Sequence, residues 1–118
     1  MRLDTHLGTY ADPADTDDVA RAVAGLTAEG KAFVILTDGG TDAETYVQAA
    51  GTAAEEFIVE YRDGRPGEHY RGDRRVTADE LVALFVAYLR RAPDWKDAIT
   101  WHRVRVDFGA LNDNAPSA

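Results

Sequence analysis

The spacing of hydrophobic residues changes along the chain, and the change separates helices from strands. Near the amino terminus, apolar residues recur at helical spacing: Val19, Ala22, Val23 and Leu26. This spacing predicts a first helix over residues 16–29, and Gly30 is placed to end it. Asp15 or Thr16 can accept the first free amide hydrogens of that helix.

A second helix is predicted between residues 77 and 91, where Thr77 and Glu80 have the spacing of a capping box. The residues expected to face a sheet are Leu81, Leu84, Phe85, Tyr88 and Leu89. This helix is apolar on every side, whereas packing on one sheet face requires only a stripe. Val82 and Val86 lie off the stripe, so either the first helix or a second copy of the chain covers them.

Between the helices the pattern changes to short β-branched and aromatic runs separated by turn residues, which is typical of strands. The predicted strands span residues 31–37, 44–50, 55–62 and 68–71. Their connections are short, so neighbouring strands should pair antiparallel. Residues 1–10 alternate loosely and suit an edge strand, residues 98–107 predict a last strand, and residues 111–118 have the composition of a frayed tail.

The predicted order of elements is therefore (β)-α-β-β-β-β-α-β. Strands grouped between two helices indicate an α+β fold, with an antiparallel sheet of four to six strands and both helices packed on one face. No internal repeat or linker divides the 118 residues, so we expect a single domain over residues 1–118.

Composition narrows the classes of function. With 13 Lys+Arg against 21 Asp+Glu the net charge is −8, which disfavours nucleic-acid binding because phosphate contacts need a basic surface. The absence of cysteine excludes disulfides, thiolate metal sites and a cysteine nucleophile. The longest apolar run is shorter than the ~18–20 residues of a membrane span. The first ten residues lack the apolar core of a signal peptide, so we expect the whole chain to be the mature, cytoplasmic protein.

Residues with catalytic or metal-binding chemistry are few. The one serine, Ser117, lies in the tail, which argues against a Ser-His-Asp mechanism, and no phosphate-binding glycine motif occurs. The aspartates of residues 12–18 lack the glycine and glutamate of a calcium loop and are explained by helix capping. Residues 38–42 have the composition of a hairpin turn. We therefore expect no catalytic residue, no metal site and no cofactor.

One alternative involves the histidines of the predicted sheet. His69 and His102 both lie on predicted strands, and together with Glu60 they would make a metal or acid–base site. Because surface histidines on a sheet are more often solvated, a small-ligand or metal-binding protein or enzyme built on these residues stays an alternative.

Alternation along the strands also divides the sheet into two faces. Phe57, Val59 and Tyr61 fall on the side that should form the core. The opposite side collects Tyr46, Gln48, Glu60, Arg62, Arg71 and His102. Antiparallel sheets commonly leave one face uncovered, and tyrosine and arginine often anchor interfaces. We interpret this second face as a partner-binding surface.

Four segments resemble a group of small, acidic, uncharacterised α+β proteins common in high-GC bacteria. They are residues 46–51 (YVQAAG), 59–64 (VEYRDG), 69–71 (HYR) and 94–101, the last with Trp95 and Trp101. The acidic α+β plan with its C-terminal tryptophans is also similar to immunity proteins of bacterial polymorphic toxin systems. That resemblance implies a protein that binds and blocks a toxin and carries no catalytic residue.

The leading hypothesis is a non-enzymatic protein-binding module, an immunity-type inhibitor of a basic toxin. An acidic surface attracts a basic protein and accelerates encounter in a salt-dependent way. We expect neither nucleic acid nor a membrane as partner. A further alternative is a structural homodimer or chaperone-like protein, joined through Val82 and Val86.

Overall fold

The chain folds into a seven-stranded antiparallel sheet with two α-helices on one face, in a computed structural model that describes residues 1–26, 32–39, 45–52, 54–65 and 67–104. The strands are β1 (Arg2–Thr5), β2 (Gly8–Ala11), β3 (Phe33–Thr37), β4 (Thr45–Thr52), β5 (Glu56–Asp63), β6 (His69–Gly72) and β7 (Trp101–Arg103). The α-helices are α1 (Thr16–Ala24) and α2 (Ala78–Leu89), and a short 3-10 helix (Trp95–Ala98) precedes β7.

The strand order is β2-β1-β3-β4-β5-β6-β7, and every neighbouring pair is antiparallel. The predicted α+β class and the helix placement are confirmed. The sheet is larger than the predicted four to six strands because residues 1–10 hold a hairpin, β1–β2, instead of part of a single strand. Gly8, with φ of 116°, permits the tight reversal. Strand β1 consequently lies inside the sheet, and β2 forms the edge.

One face of the sheet carries the core. Strand pairing aligns Leu3 with Leu36, Leu36 with Val47, and Val47 with Tyr61, and all four side chains are buried. Because side chains alternate across a strand, the residues between them point away from the helices. The predicted division of β5, with Phe57, Val59 and Tyr61 inside, is confirmed.

Helix α1 begins as predicted but is shorter. Asp15 is the N-cap and accepts a hydrogen bond from the amide of Asp18, whose carboxylate accepts one from the amide of Asp15 in return. The helix ends at Ala24, with Gly25 as the C-cap. The predicted end at residue 29 and the predicted stop at Gly30 lie outside the described residues.

Helix α2 has the predicted Thr77–Glu80 capping box. Its buried residues are Leu81, Leu84, Phe85 and Tyr88, while Leu89 is half-buried. Val82 and Val86 are half-buried and pack against the core, and α1 packs beside α2. This arrangement favours the alternative in which helix α1 of the same chain covers Val82 and Val86. The homodimer through these valines stays a prediction.

The carboxyl-terminal part of the chain differs most from the elements predicted from the sequence. Within the predicted strand over residues 98–107, the described residues form only the three-residue β7, and residue 98 belongs to the 3-10 helix. Residues beyond 104, including the predicted frayed tail at 111–118, lie outside the described part. Among the described residues, no helix is long and apolar enough to cross a membrane.

Candidate functional site on the open face of the sheet

The face of the sheet opposite the two helices is the open face. Strand pairing sets Gln48 opposite Glu60, Glu60 opposite Arg71, and Arg71 opposite His102. In the neighbouring row, Tyr46 lies opposite Arg62. The structure therefore brings all six residues predicted for a partner-binding surface onto one face. Their binding role stays a prediction.

Glu60 is the centre of a polar network on this face. Its Oε1 lies 3.1 Å from Nε2 of Gln48 and 2.8 Å from Nε2 of His69, and its Oε2 lies 2.6 Å from Nε of Arg71. The Glu60 side chain is only 16% exposed, so three donors converge on a largely buried carboxylate.

The environment keeps Glu60 ionised. Burial alone would raise its pKa, but the hydrogen bonds and charges of His69 and Arg71 outweigh burial and lower the pKa of Glu60 from 4.5 to about 2. Because an ionised carboxylate only accepts hydrogen bonds, Nε2 of His69 is the donor in this contact. Glu60 is therefore a fixed acceptor at neutral pH, and it lacks the proton that a general acid would need.

The phenol ring of Tyr46 on β4 and the imidazole ring of His69 on β6 extend the network. The Tyr46 and His69 rings meet edge to face, with centroids 6.4 Å apart. His69 was predicted only for the alternative metal or acid–base site, and the structure adds it to the open face beside Arg62. The period-two pattern of β6 already contained this signal, since Arg71 and His69 are two residues apart.

An apolar groove borders the polar network, and sequence reasoning missed it. Phe33 lies opposite Ala50, and Ala50 lies opposite Ile58. The groove between these residues and Glu60 has a volume of about 360 Å³, and Ile58 is 36% exposed. Alternation of β3 and β5 places Phe33 and Ile58 opposite the core, so apolar residues at outward positions were the available signal.

Charge on the open face differs from charge on the chain as a whole. The strand residues at the positions of this face include the arginines Arg2, Arg62 and Arg71 and the carboxylates Asp4, Glu56 and Glu60. Glu60 bonds to Arg71, and Asp4 bonds to Arg2 at 2.8 Å. The net charge of −8 therefore comes from residues outside these strand positions.

The alternative site of His69, His102 and Glu60 is only partly assembled. His69 contacts Glu60, whereas His102 lies opposite Arg71 on the far side of β6. In the described part of the chain, no group of three or more His, Cys, Asp or Glu side chains is arranged to hold a metal ion. The carboxylate oxygens of Glu60 already accept three hydrogen bonds from protein groups.

Comparison with known proteins gives no relative, since no family model, no curated protein and no solved structure matches this chain.

Proposed function

We propose that this chain is a non-enzymatic, cytoplasmic protein-binding module of the immunity type, which docks on its target through the open face and blocks it. The observation that carries the proposal is the pairing of a fixed polar network with an apolar groove on a sheet face that no described helix covers. Stable protein interfaces combine these two features, with apolar anchors beside satisfied polar groups.

The network favours binding because its side chains are already ordered. Gln48, His69 and Arg71 are all held by Glu60 before any partner arrives. Ordering a long side chain on association costs about 0.5–1.5 kcal/mol, and this cost is reduced where the side chain is fixed in advance. Arg71 keeps 56% of its side chain exposed, so its guanidinium can still donate to a partner.

The groove supplies the anchor. It is bordered by Phe33, Ala50 and Ile58 and is large enough for one apolar side chain of a partner. Buried apolar and aromatic anchors carry most of the binding energy in protein interfaces, and surrounding polar contacts chiefly exclude water.

Long-range attraction of the target and its docking depend on different parts of the charge distribution. A net charge of −8 draws a basic protein toward the molecule over roughly a Debye length, about 8–10 Å at physiological salt. Docking then depends on the open face, where carboxylates and arginines are balanced. We propose a basic target, steered by the acidic surfaces, that inserts an apolar side chain into the groove.

The test immobilises three versions of this protein, namely wild type, Ile58→Arg and the control Ala24→Arg, and exposes each to an extract of the native host. Ala24 is exposed on α1, away from the open face, so the control adds the same charge elsewhere. We expect one basic protein to bind the wild type and the control and to bind Ile58→Arg about 100-fold more weakly.

Two further readouts distinguish an inhibitor from a passive binder. The captured protein should lose its activity at one equivalent of the wild-type chain, and its association rate should fall as salt is raised. Equal capture by Ile58→Arg and wild type, or capture without inhibition, contradicts the proposal.

A further inference from the structure

The apolar groove and Arg71 meet on the open face and border the same space. The groove exists because Ala50, the smallest side chain of its row, lies between Phe33 on β3 and Ile58 on β5. Arg71 lines this groove of about 360 Å³ together with Gln48 of the next row. A group that enters the groove therefore contacts apolar side chains and polar side chains at once.

Arg71 keeps most of its guanidinium group available to such a group. Its Nε donates to Oε2 of Glu60 at 2.6 Å, which orients the guanidinium. Nη1 and Nη2 have no hydrogen-bond partner in the described part of the chain, and 56% of the Arg71 side chain is exposed. Two neighbouring Nη groups can hold a carboxylate through a pair of parallel, charge-assisted hydrogen bonds. The rim of the groove therefore offers an oriented anion-binding group.

The charge of Glu60 is compensated before anything binds. Its carboxylate accepts hydrogen bonds from Gln48, His69 and Arg71, and its side chain is only 16% exposed. A carboxylate held by the Nη groups lies on a different edge of the guanidinium from Glu60. Attraction to Arg71 therefore acts over a shorter distance than repulsion from Glu60, and attraction dominates.

Gln48 supplies a hydrogen-bond acceptor at the opposite rim of the groove. An ionised carboxylate only accepts hydrogen bonds, so the Gln48 group that lies 3.1 Å from Oε1 of Glu60 is the NH2 group. The carbonyl oxygen of Gln48 is then turned away from Glu60. Among the described residues it has no hydrogen-bond partner, and it is not enclosed by them. It can therefore accept an N–H from the group in the groove.

The spacing of these two rims suits a single amino-acid residue. Gln48 on β4 and Arg71 on β6 are separated by two strand spacings of about 4.8 Å each, with Glu60 between them. The amide nitrogen and the carboxylate carbon of one residue are two bonds apart through Cα. A hydrogen bond of about 2.9 Å at each end bridges most of the remaining distance. Only a carboxyl-terminal residue carries an N–H, a side chain and a carboxylate on one Cα.

We propose that this composite site binds the carboxyl-terminal residue of the target protein, with an apolar side chain of the leucine or phenylalanine class in the groove. Its carboxylate pairs with Nη1 and Nη2 of Arg71, and its amide N–H donates to the carbonyl oxygen of Gln48. The inference rests on the proposed function for the occupant being a protein, and it adds which part of that protein docks. An internal residue would leave the Nη groups without an anionic partner.

N-acetyl amino acids provide the probes, because they reproduce the carboxyl-terminal residue of a polypeptide. The probes are N-acetyl-leucine, N-acetyl-phenylalanine, the carboxamide of each, and N-acetylglycine, which has no apolar side chain. Two-dimensional NMR of 15N-labelled protein follows the amides of Ala50 and Ile58 and the Nε–H of Arg71. We expect saturable shifts with at least one of the two apolar acids, with a dissociation constant on the order of 1 mM. Its carboxamide and N-acetylglycine should bind about tenfold more weakly.

Matched variants assign the contacts, and the NMR spectrum of each variant also reports whether it is folded. Arg71→Gln should weaken binding of the apolar acid about tenfold and leave binding of its carboxamide unchanged, which a loss of structure would not do. Arg65→Gln is the control, because Arg65 is exposed in the β5–β6 turn and does not line the groove. Ala50→Leu fills the groove and should weaken binding of both probes about tenfold, whereas Ala54→Leu in the exposed β4–β5 turn should not.

Three results would overturn the inference: no saturable shift at about 20 mM of either apolar acid, equal binding of an acid and its carboxamide, or a preference for the acid that persists in Arg71→Gln. The inference and the proposed function fail separately. If no protein is captured but the apolar acid binds through Arg71, the carboxylate site stands and the proposed function fails. If Ile58→Arg weakens capture but acid and carboxamide bind equally, the proposed function stands and this inference fails.

Discussion

The open face and the cavity at the end of α2, which is lined by Asp38, Tyr61, Tyr88 and Arg91 among others, both contain polar groups in partly buried surroundings. The two regions satisfy these groups in opposite ways. On the open face, the Glu60 carboxylate receives hydrogen bonds from Gln48, His69 and Arg71. In the cavity, the Tyr88 hydroxyl is buried and has no hydrogen-bond partner in the described part of the chain.

This difference concerns how each region satisfies its buried polar groups. A surface whose polar groups are already satisfied resembles a rigid half of a protein interface, since docking needs little reordering. A buried hydroxyl that lacks a partner costs stability, because folding removes its hydrogen bonds to water without replacing them. Mutations at the two sites should therefore change stability differently, and the predictions below run from the largest expected effect to the smallest.

The largest effect is expected at the Asp38–Arg91 ion pair in the cavity wall. Asp38→Ala removes a buried carboxylate that accepts two hydrogen bonds from Arg91, and it should lower the free energy of unfolding by about 1–3 kcal/mol. Urea denaturation measures the change. Asp94→Ala is the control, because the exposed Asp94 makes no side-chain capping bond to the 3-10 helix. Equal stability of the two variants would show that the ion pair does not hold the end of α2.

Glu60→Gln should have the next largest effect. The amide keeps the shape of the side chain, but its NH2 group faces one of the donors that the carboxylate accepted. We expect a loss of about 1–2 kcal/mol in the free energy of unfolding, after allowance for solvent screening. The control is Glu55→Gln, at an exposed position in the β4–β5 turn. A Glu60→Gln protein as stable as the control would contradict an ordered network.

The stability supplied by Glu60 should also depend on pH with a defined sign. Its pKa is 4.5 in the unfolded chain and about 2 in the folded protein. The contribution is therefore fully present above about pH 4.5 and disappears as pH falls toward 2. In urea denaturation at a series of pH values, the gap between wild type and Glu60→Gln should close across this window. A stability difference between the two proteins that does not change with pH would show that the ionisation of Glu60 is not its cause.

The smallest effect is expected at Tyr88. Because the hydroxyl is buried without a partner, Tyr88→Phe should leave the free energy of unfolding unchanged or raise it by up to about 1 kcal/mol. Tyr70→Phe removes a hydroxyl that donates to Oε1 of Glu68 at 2.8 Å and should lower stability. Destabilisation by Tyr88→Phe in ligand-free protein would mean that the hydroxyl is already bonded, and the contrast between the two regions would be lost.

Much of the open face could be predicted from the sequence, because period-two alternation fixes which side chains share a sheet face. Once β5 is oriented by Phe57, Val59 and Tyr61, the outward position of Glu60 and Arg62 follows. Alternation does not give register. Gln48, Glu60 and Arg71 share one row because of the register of β4, β5 and β6, which the turns between these strands determine.

Gly51 shows why turn geometry is hard to predict from the sequence. It has a φ of 140°, and a Cβ atom at this position would overlap the carbonyl oxygen of Glu56. The sequence pattern treated residues 51–54 as a connector, whereas Gly51 and Thr52 continue β4 and pair with Phe57 and Glu56. The local pattern gives the turn residues and leaves their exact conformation open.

The cavity could not be predicted from the sequence. Its walls come from the ends of β3, β5 and α2 and from the 3-10 helix, which are distant in sequence and meet only in the folded protein. The helical pattern assigned Tyr88 to the buried stripe, and this is correct, but no periodicity tells whether its hydroxyl finds a partner. Likewise, Arg91 is predicted near the end of a helix, and its bond to Asp38 depends on tertiary packing.

The central claim is that the open face contacts the partner. Photo-crosslinking tests it most directly, with a photoreactive phenylalanine derivative placed in the native host either at Ile58 on the open face or at Ala83, which is exposed on α2. The account predicts a covalent adduct with one protein from position 58 and none from position 83. An adduct from position 83 without one from position 58 would assign partner binding to the helix side and contradict the account.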